Sequence, residues 1–597
     1  MIIKKTSKFL NTAKKNPWSW IPTLYFAEGL PYIIVTSLSV VMYKRFGISN
    51  ADIAFYTSWL YLPWVIKPLW GPLVDFMKTK RIWILSTQLV VGAGLAGVAL
   101  TIPIPDFFQF TLAFFWLLAF SSATHDIAAD GFYMLALKES QQSYFVGIRN
   151  TFYRIAIIFG QSLLVILAGQ LEGAFSVGPA EFKVVANPNK FFQETIKVDS
   201  IGQKSLTGIM RVVPNTKYLE ISTRPKTKSE VNFYANYAHR FNIMNGFIQD
   251  MDMIPDTASQ DDLDGNVGII SFYLSKKPSQ GSEYNVGLGF LEGNEGIKVI
   301  EGKTFKFTSE NWNKPAFAVF QLDPSISKQS VAIFKIQSDR VTLAWVIILI
   351  FTGVIFILLF FYHRAVLPEP DNDRPARLIH HNSFIKEFFR TFFRFFEKKK
   401  IIISILFLLF FRFGEAQLTK MSALFMLDGR ESGGLGLSLS ELGFVNAAGV
   451  LTLIIGGLLG GFLIAKKGLK YWLWPMLLAI NLPHLLYVYM AYAMPTNIWI
   501  ISFCVACEQL GYGFGFTAYI MYMIFISEGE YKTSHYAIAT GFMALSMMIP
   551  GLFSGMIQEA LGYKMFFLWI MLTIIPSIII IKFLPIEYSF GKKKLSD

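Results

Sequence analysis

The sequence predicts an all-α membrane protein of twelve transmembrane helices in two six-helix repeats, interrupted by an inserted β-sandwich-like domain. Three observations predict it. The 597 residues are 53% hydrophobic and only 16% charged, where an ordinary soluble domain carries about 25% charge. Apolar runs of about 18 residues or more recur along the chain. Five sequence landmarks appear twice in the same order. The mean hydropathy of +0.44 excludes an ordinary soluble enzyme, and the 16% aromatic content excludes disorder. Two cysteines exclude a disulfide scaffold or a cysteine-based metal cluster.

The twelve expected spans are 18–42, 51–71, 82–102, 108–136, 143–171, 339–362, 401–427, 440–465, 471–492, 498–527, 533–559 and 563–584. Each is close to the about 20 residues a bilayer core requires at 1.5 Å rise per residue. The first follows a leader with Lys4, Lys5, Lys8, Lys14 and Lys15; it is too long for a signal-peptide core and is expected to be retained. Lys78, Lys80 and Arg81, the loop Arg364–Lys400, Lys466, Lys467 and Lys470, and the tail Lys592–Lys594 fall on the same side as the leader. The opposite loops carry few cations, chiefly Lys44, Arg45, Arg430 and Lys564. Both termini are therefore expected in the cytoplasm. The net charge of +13 is a topology signal, and no nucleic-acid partner is expected.

The expected organisation is spans 1–5 in 1–171, a β-rich insert at 172–338, span 6 at 339–362, a cytoplasmic linker at 363–400, and spans 7–12 with the tail in 401–597. The insert carries 18 basic and 18 acidic residues and no span. Alternating runs such as EGIKVIEGKTFKFTSENW and PAFAVFQLD predict short antiparallel strands. The stretch with Phe307, Asn311, Trp312 and Pro315 resembles the closing strands of Calx-β-type or immunoglobulin-like sandwiches. A protein or glycan partner is expected for this domain.

The repeat pairs FAEGLP (26–31) with FGEAQL (413–418), and ISNADIAF (48–55) with LSLSELGF (437–444). It continues with GPLVDFMKTKR (71–81) and GFLIAKKGLK (461–470), then HDIAADGF (125–132) and EQLGYGFGF near 508–514, then SYFVGIRN (143–150) and SHYAIATG (534–541). Parallel six-span repeats about an axis along the membrane normal describe the major facilitator architecture. The third pair resembles that superfamily's gating-loop signature. Gly71 and Asp75 fit it in the first copy; Gly461, Gly468 and Lys470 fit in the second, with Ala465 where Asp is expected. Glycine there lets two spans approach closely, and the carboxylate caps a helix or pairs with a base.

Ionisable residues inside spans are costly and mark a pathway or coupling site. Glu28 lies about ten residues into span 1, and Glu415 is its repeat partner in span 7. Asp126 and Asp130 share one face of span 4 at i,i+4 spacing, beside His125. Span 5 carries Arg149 and Arg154. Counting from the cytoplasmic ends, Asp130 with Arg149 and Asp126 with Arg154 form two acid–base levels, about 9 and 16 Å deep at 1.5 Å rise. Lys67, Arg412, Lys420 and Glu508 are further intramembrane charges. Trp59, Trp64 and Trp70 either pack or stack on a sugar ring. Cys504 and Cys507 in an apolar span are a packing pair, and DDLDGN (261–266) lacks the spacing of a calcium loop. The chain has no Walker loop, no GxSxG and no HExxH. No enzyme activity, metal or cofactor is expected, so transport would draw on a gradient.

VIKPLWGPLVD (65–75), SSATHDIAADGF (121–132), FYR (152–154), FRFGEA (411–416), SELGFVN (440–446) and Glu508–Gln509 together resemble the AmpG-type muropeptide permeases, more distantly related to acetyl-CoA transporters. The matching stretches span both halves outside the insert. The family pattern has Gln where this chain has His125, usually Asn where it has Gln509, and no insert. The resemblance implies proton-coupled import of anhydromuropeptides across a bacterial inner membrane, with the insert in the periplasm. Asp126, Asp130, Glu28, Glu415 and Glu508 are then the proton-coupling candidates. Lys67, Arg149, Tyr153, Arg154, Arg412, Asn446, Gln509 and Trp64 are the substrate-binding candidates. Three other readings stay open: a carrier of another anionic solute such as acetyl-CoA or a sugar phosphate, a membrane acyltransferase using His125 as base, and a receptor or assembly subunit.

Overall fold

A computed structural model describes residues 16–175, 180–190, 210–248, 262–278, 283–338, 340–374, 390, 392–529 and 531–592. The leader lysines, Lys593, Lys594 and Asp261 lie outside the described residues, as does the side chain of Asp75. The chain divides into a helical unit, Met1–Gly169 with Trp345–Asp597, and a second unit, Gln170–Ala344.

Ten helices of the described residues are long and apolar enough to cross a membrane. Two local breaks account for the difference from twelve. The final long helix, Lys532–Leu572, turns at Gly562, whose φ of 69° and ψ of 163° are non-helical and suit only glycine. Spans 11 and 12 are therefore the segments on either side of it. Span 2 is two stacked helices, Asn50–Trp59 and Leu62–Met77, because Pro63 opens the second at its first turn. The others are span 1 (Pro17–Arg45), span 3 (Lys80–Thr101), span 4 (Phe107–Ala136), span 5 (Tyr144–Glu172), span 6 (Thr342–Val366), span 7 (Ile401–Leu427), span 8 (Leu439–Lys467), span 9 (Leu469–Ala493) and span 10 (Ile498–Ser527). This is the major facilitator fold.

The packing repeats with the sequence. Span 1 lies on span 5, span 7 lies on the long helix that carries spans 11 and 12, and span 3 packs on span 4 as span 9 does on span 10. The seam between the halves is built from span 2 on span 11 and span 5 on span 8, which are the same contact exchanged by the repeat. Small residues bring these helices together, the usual solution where lipid supplies no hydrophobic drive. A Cβ at Gly555 would lie 2.3 Å from the Asn50 carbonyl oxygen, and one at Gly443 would lie 2.9 Å from that of Ser162. Spans 1 and 5 each carry one widened turn, Ile34–Leu38 and Phe159–Leu163, at their mutual crossing.

The landmark shared by ISNADIAF and LSLSELGF is a helix start. Ser49 accepts from the Asp52 N–H, and Ser438 from the Glu441 N–H, with Glu441 completing a capping box. The linker caps as well. Asp373 accepts the backbone N–H of Lys80 (2.7 Å) and Arg81 (3.1 Å) at the start of span 3. Lys398 donates to the Ile526 and Glu528 carbonyls at the end of span 10, where a cation suits the helix dipole.

The gating-loop glycines depart from expectation. Gly71 and Gly461 have no heavy atom within 4 Å of a Cβ position, so close helix approach is not their role in this conformation. Gly468 is the conformationally required one. Its φ is +85°, and a Cβ there would lie 3.0 Å from the Tyr588 carbonyl oxygen. Lys470 sits with its ammonium 3.8 Å from the Tyr588 ring centroid, a cation–π contact that anchors the chain after span 12.

The second unit is a sandwich. One sheet has the order β3 (Tyr218–Ser222), β1 (Ala180–Asn187), β11 (Ser330–Ser338), β7 (Tyr284–Gly293), β9 (Thr304–Phe307). The other has the order β2 (Val212–Pro214), β6 (Val267–Leu274), β10 (Ala316–Leu322), β8 (Ile297–Glu301). A short third pair, β4 (Lys226–Thr227) with β5 (Leu263–Asp264), is antiparallel, and among the described strands only β1 and β3 pair in parallel. Phe182 and Phe334 of the first sheet meet Phe320 of the second, with centroids 5.7 and 4.6 Å away, and close an aromatic core.

The β-only expectation for 172–338 missed one element, the helix Lys228–Met244. It covers the outer face of the second sheet, where Val231 and Ala238 pack on Phe317 and Val319. This explains why the first five residues of β10, AFAVF, are continuously apolar. Buried Asn242 holds the helix there, donating to the Phe317 carbonyl (2.8 Å) and accepting its N–H (2.9 Å). A Thr227–Glu230 capping box begins it. The Thr227 backbone N–H, with Lys226 beside it, holds the Glu230 carboxyl below its usual range. That contribution is present above the unfolded value of about 4.3 and is lost as pH falls through the lower folded value. Thr227→Ala is expected to lower protection of this helix by about 1 kcal/mol in hydrogen exchange of the full chain, and acidification to erode the same protection. Unchanged exchange in the variant counts against the cap.

Candidate functional site

The charged residues of spans 1, 2, 4 and 5 gather inside the first half. Asp130 accepts from Arg149 (3.0 Å) and from the Tyr25 hydroxyl (3.1 Å), while Arg149 also donates to that hydroxyl (3.0 Å). The guanidinium lies 5.1 Å from both the Tyr25 and Tyr133 ring centroids. Asp130 and Arg149 therefore meet as their matching depths suggest. The second level is different: Asp126 is ion-paired with Lys67 of span 2, not with Arg154. The reason is angular. Asp126 and Asp130 are about 40° apart round their helix, whereas Arg149 and Arg154, five residues apart, diverge by about 140°. One face of span 5 cannot present both arginines to span 4, and Arg154 instead reaches Gly457 of span 8, across the seam.

Glu28 is buried near the Asp126 and Asp130 carboxylates, and its Oε2 has no hydrogen-bond partner among the described residues. Trp64 and Tyr61 both pack edge-on to Tyr32, with centroids 5.2 and 6.4 Å away, lining the ground between Lys67 and the opposite half. The Tyr153 backbone and ring close on Gly29, fixing span 5 against span 1 beside Glu28. The Lys67 and Asp126 side chains are 22% and 21% exposed, so this group is inside the bundle yet open to its interior space.

The second half carries a drier counterpart. Span 7 breaks at Phe411 and Arg412, and the break turns Arg412 onto Glu415 of the following turn at 3.0 Å. These side chains are 5% and 3% exposed. Arg412 also donates to the Tyr512 hydroxyl (2.8 Å) and lies 4.6 Å from the Phe516 ring centroid. Thr419 donates to the other Glu415 oxygen (2.6 Å). Glu415 is thus paired, whereas its repeat partner Glu28 faces an acid. Glu508 is buried, accepts from Gln509 (2.9 Å), and stands apart from the Glu28–Asp126 group in the other half. Asn446 bridges the seam by donating to the Gln161 carbonyl (3.1 Å).

At the face carrying loops 46–49 and 428–438, the two halves are joined by polar contacts. Lys44 is ion-paired with Asp428, and Asn50 donates to Asp428 (2.9 Å) and Gln558 (2.9 Å). Tyr563 donates to Asp428 (2.5 Å), and Glu559 accepts the Ala51 N–H (2.9 Å). This cluster was not expected from sequence, because its members lie far apart in the chain and none is deep in a span. Also unforeseen is a buried chain in which Gln88 contacts His125 (3.1 Å) and His363 (2.8 Å), and Thr23 contacts His363 (2.9 Å). His125 is thereby tied through Gln88 and His363 into the packing of spans 1, 3, 4 and 6. Among the described residues no group of three or more metal-ligating side chains occurs.

A helical repeat with intramembrane charge on both sides of a seam defines a multi-pass membrane protein with the major facilitator fold. Two solved structures share the fold. A nucleoside transporter, NupG, superposes with a TM-score of 0.52 at 9% identity, over 94% of this chain and 97% of its own. A D-xylose–proton symporter superposes with a TM-score of 0.50 at 9% identity, over 96% and 99%. The BT1 family model matches residues 28–178. Among curated relatives, a protein named as a transporter, AmpG 2 of Rickettsia typhi, is 29% identical over 34% of this chain and 48% of its own length. AmpG 2 of Rickettsia prowazekii is 28% identical over 33% and 47%. The chain spans about half the length of these relatives. The chain is similar to these AmpG-named relatives over about a third of its length.

Proposed function

We propose that this chain is a secondary active transporter importing muropeptide-like, anionic sugar–peptide fragments with protons from periplasm to cytoplasm. The observation that carries the reading is the Glu28–Asp126–Lys67 group inside the first half. Carboxyl groups buried close together resist ionising at the same time, which favours a proton on one of them. A lysine ion-paired with one of them, and movable with span 2, offers the competing charge that decides whether the proton stays. Arg149, Arg154 and Arg412 offer positive charge for a ligand carboxylate, and the Tyr32, Tyr61 and Trp64 rings offer a surface for sugar. The two-fold seam supports alternating access, in which the halves rock about spans 2, 5, 8 and 11. The Lys44–Asp428 cluster then joins the halves on the periplasmic side and must part for entry.

The test is uptake of labelled anhydromuropeptide by proteoliposomes with an inward proton gradient. Accumulation that a protonophore abolishes supports the reading, and no uptake under any gradient overturns it. Unlabelled sugar phosphate and acetyl-CoA as competitors separate the muropeptide reading from other anionic solutes. Topology is tested independently. A cysteine at Ser325 is expected to react with an impermeant thiol reagent from outside the cell, and one at Lys399 only after permeabilisation. The reverse pattern overturns the assigned orientation and import direction.

A further inference from the structure

Lys420 of span 7 is 5% exposed, and no carboxylate lies within ion-pair distance of it among the described residues. Its ammonium donates to the Thr57 hydroxyl of span 2 (3.0 Å) and lies 5.5 Å from the Tyr61 ring centroid. The Thr57 hydroxyl is itself used, donating to the Ile53 carbonyl. An ammonium has three donors, and a single neutral hydroxyl does not balance a buried charge. A second group here is also unanswered: the Ser58 hydroxyl is buried with no hydrogen-bond partner. The two flank one point. A Cβ placed on Gly551 of span 11 would lie 2.5 Å from Ser58 Oγ and 3.6 Å from Lys420 Cε. Glycine at 551 thus lets span 11 close directly over a buried cation and an orphaned donor, at the seam between the halves.

We infer that Lys420, Ser58 and Thr57 form a subsite for an oxyanion group of the transported solute, a carboxylate or a phosphate. The bound anion balances the ammonium, and Ser58 donates a second hydrogen bond to it. Because span 7 belongs to one half and spans 2 and 11 meet at the seam, an anion held here ties the two halves together, so that binding biases their rocking. This inference rests on the transporter reading and deepens it.

The test uses the full chain in detergent, with binding followed by thermal stabilisation. The probes are N-acetylmuramic acid for a carboxylate, glucose 6-phosphate for a phosphate, and neutral N-acetylglucosamine as control. At least one anionic probe is expected to stabilise the wild type more than the neutral sugar does, and the stronger of the two identifies the oxyanion. Lys420→Met is expected to weaken that binding by about tenfold or more, since a hydrogen bond to a charged group is lost. Lys420→Arg retains part of it. Ser58→Ala leaves the cation in place and is expected to weaken binding about threefold to tenfold, which keeps the inference testable should Lys420→Met misfold. Anion binding unchanged in Lys420→Met or in Ser58→Ala, or no anion preference in the wild type, overturns the subsite. Failure of anhydromuropeptide uptake with Lys420-dependent anion binding intact overturns the muropeptide reading alone.

Discussion

Asp126→Asn is expected to abolish gradient-driven accumulation, to the level of empty vesicles, while ligand binding and equilibrative exchange stay measurable. The amide copies the size of a protonated carboxyl but cannot release a proton, so a carrier cycling through this site loses its coupling. Lys67, the ion-pair partner of Asp126, supplies the control. Lys67→Met leaves the Asp126 charge uncompensated and is expected to trap or destabilise the protein. Pairing Lys67→Met with Asp126→Asn removes both charges and is expected to restore most of the lost stability, because a broken pair costs more than an absent one. Arg154 does not share this coupling: Arg154→Ala is expected to weaken ligand binding and leave the pH dependence of uptake unchanged. Counterflow and pH-jump uptake in proteoliposomes check all four. Normal pH-dependent accumulation by Asp126→Asn would transfer the role to Glu28, its neighbour.

Arg412→Met costs about 3–5 kcal/mol of stability, the penalty for stranding a buried carboxylate. Glu415 would keep the Thr419 hydroxyl as a donor and lose both guanidinium contacts, at 3.0 and 3.1 Å. The pair fills the break in span 7, and Arg412 binds that break to span 10 through Tyr512 and Phe516. A double variant, Arg412→Met with Glu415→Met, is expected to recover most of the loss. Denaturant titration of the purified chain measures the cycle. Wild-type stability in the Arg412 single variant would mean that water already reaches Glu415.

Much of the fold was legible because its signals are local or repeated. Length and apolarity mark spans without reference to neighbours, and a bilayer demands both. The repeat located Glu415 opposite Glu28, and Ser49 opposite Ser438, before any contact was known. Depth along adjacent helices paired Asp130 with Arg149. The same reasoning misassigned Arg154, because depth fixes a level and leaves the angle round the helix open. The angle was readable from the five-residue spacing of Arg149 and Arg154. That Lys67 then takes the place beside Asp126 was not, since it depends on how span 2 leans against span 4.

By itself the sequence determined the medium, the two-fold repeat, the β character of the insert and which charges enter the membrane. Each of these follows from composition, periodicity or order along one strand of chain. Tertiary structure alone decided the partners: Lys67 for Asp126, Glu28 as the third carboxyl, Asp428 for Lys44 and Asn50, and Asn242 for the backbone of Phe317. It also left Lys420 without a carboxylate within ion-pair distance among the described residues. The physical reason is that an ion pair or hydrogen bond forms within about 3 Å, whereas sequence spacing fixes position only along a helix. Partners hundreds of residues apart become neighbours through glycine contacts such as Gly551 on Ser58 and Gly555 on Asn50, and those contacts exist only once the two halves have closed on each other.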